Sequence, residues 1–381
     1  MALREKTLPK NSLNILFVLR APIGGLFRHV LDLAQELEKR GHKTGMVIDG
    51  SHEYIVSDEW QKSMRECFIL GIHKLPMSRT LGLSDFFNPF KLNKIAKSLN
   101  IDVIHGHGAK GGFFARLARP KNSTALYTAH GGVLHYNKNS LAGKIFRKIE
   151  KLLMRRTDAM VFESVYAKRE YLKQVGTPKF PTPVIHNGLL EKEFLPIKKT
   201  KDLFDFIFIG ELRDIKGIKY LLEAIVDISL PDGTPATLAI AGAGPLKEKI
   251  EKQIKDFKLE KRIKLLGVRP ARSVFAMGKC LVIPSLKESF PYILLESVAA
   301  KMPTITTNVG GISEIFETTK SSLLEPANSK ALKTAMQEFL KNEKTAKILA
   351  KTRFEYAKEK FLLEKMVTDI EELYYSTLEK K

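Results

Sequence analysis

The sequence predicts an α/β protein of two doubly wound, Rossmann-like domains facing a central cleft. Three observations carry that expectation. Apolar runs of the kind that fill parallel sheets, such as Leu13–Leu19 and Phe206–Ile209, recur along the chain and alternate with helical periodicities. Glycine-rich turns follow several of these runs at their C-terminal ends, where open α/β sheets bind ligands. The length, 381 residues, is enough for two separate cores.

In the first half, Leu13–Leu19 is a strand, and Gly24-Gly25 opens a helix over about Phe27–Arg40 that Gly41 ends. Lys43–Ile48 is the second strand. Ile101–His105 is another, leading to Gly106-His107-Gly108 and a helix near Gly112–Ala118. Ala125–Thr128 ends at His130-Gly131-Gly132, and strands follow at Ala159–Phe162 and Pro183–His186. A linker with Glu191, Lys192, Pro196, Lys198 and Lys199 separates the halves, so the domains are expected at 1–195 and 196–381. The last helix, about 361–381, is expected to pack back on the first domain. In the second half Cys280–Pro284 reads as a short buried strand. The helix after it opens at Pro291, a residue favoured at the first helical position, and Ile293, Leu294, Val298 and Ala299 follow at helical spacing.

Hydrophobic content of 44% and charged content of 28% are ordinary for a soluble globular protein. Cys67 and Cys280 lie in apolar surroundings and read as reduced structural thiols. No apolar run approaches the roughly 18 residues of a spanning helix, and residues 1–11 lack a signal-peptide core, so a cytoplasmic location is expected. The charge is less ordinary. There are 63 basic and 42 acidic residues, a net +21, of which +14 falls before a cut after Leu195 and +7 after it. Between Val103 and Ile149 there is no acid, while Lys110, Arg116, Arg119, Lys121, Lys138, Lys144, Arg147 and Lys148 all occur. Such a field suits nucleic acid, an anionic membrane or an acidic substrate, or is a lysine-rich composition and nothing more. Nucleic acid is disfavoured, because the basic stretches carry no interleaved aromatics and no binding motif. Gly106–Gly111 matches Gly-x-Gly-x-x-Gly in form. The acidic ribose partner expected about 20 residues on is missing, which argues against a dinucleotide.

Glu288 and Glu296 stand with seven residues between them, the first in a strand-to-helix loop and the second more than one turn into the helix. Carboxylates accept from hydroxyls, and free amides at a helix start favour an anion. This combination suits a ligand with phosphates in its middle and a sugar at each end. After the pair come Pro303-Thr304-Ile305-Thr306 and Gly310-Gly311-Ile312-Ser313-Glu314. Upstream lie Phe206–Gly217, which includes Gly210-Glu211-Leu212-Arg213-Asp214-Ile215-Lys216-Gly217, and Leu238–Pro245, which ends Gly242-Ala243-Gly244-Pro245. In this order, across nearly the whole chain, these segments resemble the retaining glycosyltransferases of the GT-B fold often called family four.

The resemblance implies a hexosyltransferase-type enzyme that moves a sugar from a nucleotide sugar, a UDP-sugar by expectation, to an acceptor hydroxyl. It places Gly24 and Gly25 in a loop that closes over the donor diphosphate and the acceptor. His130 contacts the transferred sugar or supports the reaction centre. Glu288 holds donor-sugar hydroxyls and Glu296 the ribose. Gly210, Gly244, Pro245, Ser289 and Phe290 complete the donor site. Lys216, beside Gly217, neutralises the leaving diphosphate. Two departures stand out: Glu211 occupies a position where many members carry arginine, so Arg213 is expected to supply the guanidinium, and Pro291 replaces a common glycine. His105 and His107 remain ambiguous. With no His-x3-His on a helix and no Asp-x-Asp, neither a metal nor another cofactor is expected.

On the acceptor side, Ser140–Asp158 reads as an amphipathic helix with Leu141, Ile145, Ile149 and Leu152 on one stripe. Lys144, Lys148, Lys151 and Arg155 form a neighbouring stripe. Either the apolar stripe packs on the domain and the basic one is merely solvated, or the helix docks an anionic membrane, as suits a lipid-linked or cell-envelope acceptor. A sugar-nucleotide epimerase on a similar fold is the nearer rival function, and an assay without acceptor separates the two. The remote rival is a basic nucleic-acid binder without catalysis.

Overall fold

The computed structural model describes residues 12–51, 58–78, 82–132 and 140–380. Lys138 lies outside the described residues, as do residues 1–11. The chain divides into two compact units. The first runs to Asn187 and regains the chain from Leu363, and the second is Gly188–Leu362. The expected boundary at 195 therefore falls inside the second unit.

The first unit is built on six parallel strands: β1 (Asn14–Val18), β2 (Lys43–Asp49), β3 (Ile72–Leu75), β4 (Val103–His107), β5 (Thr124–Thr128) and β6 (Ala159–Val161), in the order β3-β2-β1-β4-β5-β6. Its helices are α1 (Gly24–Lys39), α2 (Asp58–Glu66), α3 (Ser84–Ser98), α4 (Gly108–Ala118), α5 (Leu141–Leu153) and α6 (Val165–Gln174). The central strands are buried on both faces, which is why β1 reads as an unbroken apolar run and not as an alternation. Helix α1 buries Phe27, Val30, Leu31, Ala34 and Leu37 at helical spacing.

Some boundaries differ from the sequence reading. Helix α1 begins at Gly24 itself. Strand β4 starts two residues later than expected and ends at His107, so His105 and His107 share one face of the strand. Pro183–His186 forms no strand: Val184 makes only an isolated bridge to Phe162. Pro181 and Pro183 lack the N–H groups that a ladder needs. The alternation read from sequence passes over α2, β3 and α3, whose apolar content is lower.

The second unit has five parallel strands: β7 (Phe204–Ile209), β8 (Leu238–Ala241), β9 (Ile263–Gly267), β10 (Gly278–Ile283) and β11 (Thr304–Thr306), in the order β11-β10-β7-β8-β9. Around them lie α7 (Ile218–Ile225), α8 (Lys247–Asp256), α9 (Ala271–Ala276), α10 (Tyr292–Ala299), α11 (Ile312–Ile315), α12 (Ser329–Lys341) and α13 (Glu343–Lys360). The last helix, α14 (Leu363–Leu378), belongs to the first unit. It buries Val367, Ile370 and Tyr374, and Glu371 pairs with Arg40 and His42 at the end of α1.

Candidate active site

Each sheet reverses its winding once, between β1 and β4 in the first unit and between β7 and β10 in the second. Loops leaving neighbouring strands at such a point diverge to opposite faces and open a crevice at the strand C-termini. Arg213, Lys216 and Glu288 follow the two strands that flank the second point, and Gly24 and Gly25 follow β1 at the first. The other sequence-identified residues lie on neighbouring loops, on α10, or on and just after α5.

In the second unit, β7 runs out through Gly210 to a 3-10 turn at Asp214–Lys216, and β10 runs into the loop 284–291. The two loops meet through side chains. Lys216 Nζ donates to Glu288 Oε1 at 2.6 Å, and Ser285 Oγ donates to the same oxygen at 2.6 Å. Their side chains are 18% and 9% exposed, so the pair is largely shielded from solvent screening. Two glycines hold the loops close. A Cβ on Gly217, at φ 65°, would lie 2.0 Å from the Pro284 carbonyl oxygen. One on Gly310, at φ 63°, would lie 2.0 Å from the Glu288 carbonyl oxygen. The left-handed backbone and the missing side chain are both required there.

Arg213 caps the 3-10 turn and approaches Glu211 at 3.5 Å, with both side chains more than a third exposed. The guanidinium expected to face the diphosphate is thus loosely shared with the residue that departs from the family pattern. Gly244 and Pro245 lie in the turn after β8, which is tied to the exit of β7 by Leu212 N to Ala243 O at 2.9 Å and Leu246 N to Leu212 O at 3.1 Å. The Ser289 carbonyl accepts from Gly311 N at 2.7 Å. Phe290 is buried and meets Phe361 edge to face at 5.6 Å, so its ring is part of the core. Pro291 precedes α10 as its cap, and Glu296 stands half-buried in the second turn of that helix.

In the first unit four histidines converge. His105 is fully buried and satisfied, with Nδ1 at 2.7 Å from the Tyr374 hydroxyl and Nε2 at 2.8 Å from Thr128 Oγ1, which makes it structural. His107 closes β4, and its Nδ1 lies 3.1 Å from His130 Nε2. His130 follows β5 with φ 46°, a left-handed backbone that costs a non-glycine residue on the order of 1–3 kcal/mol and collects at functional sites. His29, on the buried face of α1, lies 5.0 Å ring to ring from His130 and 5.5 Å from His107. Burial holds all four uncharged at neutral pH. It lowers the His29 pKa to about 3, with the nearby His130 adding to the effect. It pushes His105, His107 and His130 down as well. Gly24 and Gly25 are exposed at the start of α1, and a Cβ on Gly24 would meet nothing within 4 Å.

Sequence reasoning singled out neither His29 nor Ser285. His29 does leave a signal, an uncharged polar residue inside the apolar stripe Phe27–Val30–Leu33 of α1. Ser285, three residues before Glu288, has none beyond proximity.

The acid-free stretch is compensated in space. Arg116 is buried in a two-pronged pair with Glu150 at 2.7 and 2.9 Å, while Lys110 pairs with Asp85 and Arg119 with Asp158, each at 2.7 Å. Lys121, Lys144, Lys148, Lys151 and Arg155 remain exposed. Helix α5 meets the unit through Gly143, Glu150 and Leu153, leaving Leu141, Ile145 and Leu152 at 74%, 42% and 62% exposure. The apolar stripe expected to pack or to dock therefore does not pack on the domain along most of its length.

Two parallel α/β sheets of 6 and 5 strands, each with ligand-type loops at its reversal point, are the architecture of the GT-B class. Residues 23–189 match glycosyltransferase family 4, and residues 191–356 match the family described as glycosyl transferases group 1. An uncharacterized glycosyltransferase of Methanocaldococcus jannaschii is 30% identical over 361 residues, covering 92% of this chain and 94% of that protein. The gpi3 subunit of phosphatidylinositol N-acetylglucosaminyltransferase from Schizosaccharomyces pombe is 26% identical over 313 residues, 80% of this chain and 67% of that protein. Among solved structures, Anabaena HepE in complex with UDP and glucose superposes with a TM-score of 0.78 at 17% identity, covering 96% of this chain and 100% of that one. The chain belongs to the group 1 glycosyltransferases of family 4, with the GT-B fold. It is a glycosyltransferase that draws on a nucleotide-sugar donor.

Proposed function

We propose that this enzyme transfers a hexose from a UDP-sugar to a hydroxyl of a lipid-linked acceptor, with retention at the anomeric carbon and without a metal. The observation that carries the reading is the Lys216–Glu288 pair at the reversal point of the second sheet. An ammonium has three donors, and Glu288 uses one of them. The others can meet the diphosphate, so the charge that a metal would supply is built into the chain. Among the described residues Glu288 Oε2 takes no hydrogen bond, which leaves it to accept from a donor-sugar hydroxyl. Arg213 adds a second cation once the diphosphate displaces its loose contact with Glu211. Glu296 accepts from the ribose.

The acceptor oxygen bonds to the anomeric carbon from the face that the diphosphate leaves. The bond from that carbon to the phosphate oxygen breaks, and a phosphate oxygen takes the acceptor proton. No protein nucleophile is needed, so the chain contributes position and charge stabilisation. The neutral His130 ring is suited to a hydroxyl partner.

A lipid-linked acceptor is supported by surface chemistry. Besides the exposed apolar and basic residues of α5, the first unit exposes Leu83, Phe86, Phe87 and Phe90 at the start of α3, at 58–88%. Exposed patches of this kind mark interaction sites, and Phe or Leu beside lysines suits an anionic bilayer. No helix among the described residues is long and apolar enough to cross a membrane. The test is a thermal-shift screen of UDP-, GDP- and ADP-sugars, followed by transfer to a polyprenyl-diphosphate-linked sugar or phosphatidylinositol, each of which offers alcohol hydroxyls, in EDTA, with product anomers read by NMR. A ligand at 100 times its dissociation constant adds about 2.7 kcal/mol to the folded state. No shift with any UDP-sugar, or an inverted product, would overturn the proposal.

A further inference from the structure

We infer that His29, His107 and His130 form a binding site for a divalent transition-metal ion of the zinc type within the first unit. Each ring offers a nitrogen, and the three lie within 4.8 Å of one another. Four-coordinate zinc with Zn–N bonds of about 2.0–2.1 Å sets its ligand nitrogens roughly 3.3 Å apart. His107 Nδ1 and His130 Nε2, at 3.1 Å, already stand at that separation. A cation entering there replaces the proton between them, which moves to the far nitrogen of its own ring, and His29, with its ring 5.0 Å from that of His130, closes in to complete the set.

The surroundings of His29 are those of a prepared ligand. Its Nδ1 lies 3.0 Å from the Asn187 side-chain oxygen, which accepts only from an N–H, so the proton sits on Nδ1 and the lone pair on Nε2. That Nε2 is buried and has no hydrogen-bond partner among the described residues, and His107 Nε2 is in the same position. A buried, unpartnered ring nitrogen is costly, and a cation relieves the cost at His29. Burial keeps the imidazoles in the neutral form that metals require. Glu163, itself buried, acts electrostatically on His29 and offsets part of an added positive charge. Imidazole donors select zinc, copper, nickel and cobalt over magnesium or calcium. His130, the least buried of the three, provides the way in. Spacing along the sequence could not show the set, because its members come from α1, β4 and the loop after β5.

Three nitrogens leave a fourth position for water, and a metal held there immobilises His130. The consequence for catalysis rests on the role proposed for His130 above, whereas the site itself does not. The test uses the full chain, freed of any affinity tag and stripped of metal, titrated with Co2+ and followed by visible absorption. One equivalent should bind with the intense bands of a four-coordinate ion, and Zn2+ should displace it. His107→Ala should abolish the signal, Asn187→Ala should weaken binding by about 10–100-fold, and His73→Ala, in β3, should leave it intact. Circular dichroism checks that each variant is folded. Absence of stoichiometric binding by the wild-type protein at micromolar metal, or undiminished binding by a folded His107→Ala, would overturn the site. Zinc should also inhibit transfer reversibly. Binding without inhibition would keep the site and remove His130 from the reaction.

Discussion

At the reversal point of the first sheet, buried imidazoles meet with no net charge among them. At that of the second, an ammonium and a carboxylate meet at 2.6 Å. Both points are made the same way, from loops leaving the C-terminal ends of parallel strands, so topology alone does not distinguish them. Burial does. Burial of His29, His105 and His107 disfavours the imidazolium form, while Lys216 and Glu288 lie within 2.6 Å of each other with 18% and 9% of their side chains exposed. The proposed function uses this division, with the charged leaving group set against the second unit and neutral hydroxyls against the first. The first unit also carries its surplus charge on the outside, along α5.

The largest effect that would break this contrast is on that outer surface. Reversing Lys144, Lys148, Lys151 and Arg155 to glutamate should abolish pelleting with phosphatidylglycerol vesicles at low salt. About 1 kcal/mol per basic residue is at stake, and the attraction decays over a Debye length of about 8 Å at physiological salt. If the wild type ignores such vesicles, the membrane face is only a solvated one.

Next is Lys216→Ala, which should cut turnover by about 10²–10³-fold, or roughly 2.7–4 kcal/mol, with activity in EDTA otherwise intact. Loss of activity in EDTA with rescue by magnesium or manganese would move the neutralising charge from the lysine to a metal. Glu296→Ala should weaken nucleotide binding by about 1.5–3 kcal/mol, whereas Glu288→Ala should chiefly depress turnover. Equal and negligible effects in titration calorimetry and rate assays would assign both to scaffolding.

The smallest effect sharpens the first-unit side. The folded-state pKa of His29 lies at about 3, below its ordinary 6.5, so the unfolded chain takes up a proton first as pH falls. Its contribution is fully present above about 6.5 and is lost progressively down to about 3, amounting to about 2 kcal/mol at pH 5. Urea unfolding in EDTA between pH 7 and 5 should therefore show a shallower decline for His29→Gln than for the wild type. Parallel profiles would mean that the ring is not buried neutral.

The legibility of the fold varied with burial. Strands enclosed on both faces, such as β1, β7 and β10, announce themselves as apolar runs, and their glycine turns mark the loops at their ends. The half-exposed β3 and the helices beside it have no such run, and Pro183–His186 imitates a strand without the donors to pair. Lys216 and Glu288 were each readable from their turns, but their direct bond was not, because 72 residues separate them.

The charge follows the same division. From the sequence alone come the alternation of the most buried strands with their helices, the two cores, the glycine-rich loops at the strand ends and a net +21. The acid-free stretch from Val103 to Ile149 looks like a continuous basic field only along the chain. In three dimensions Asp85, Glu150 and Asp158 return to neutralise Lys110, Arg116 and Arg119, leaving Lys121 and, on α5, Lys144 and Lys148 exposed. Apolar patterning is local, so a sequence displays it. Ionisation depends on which groups lie within a few ångströms and how much water they keep, and only the tertiary structure decides that.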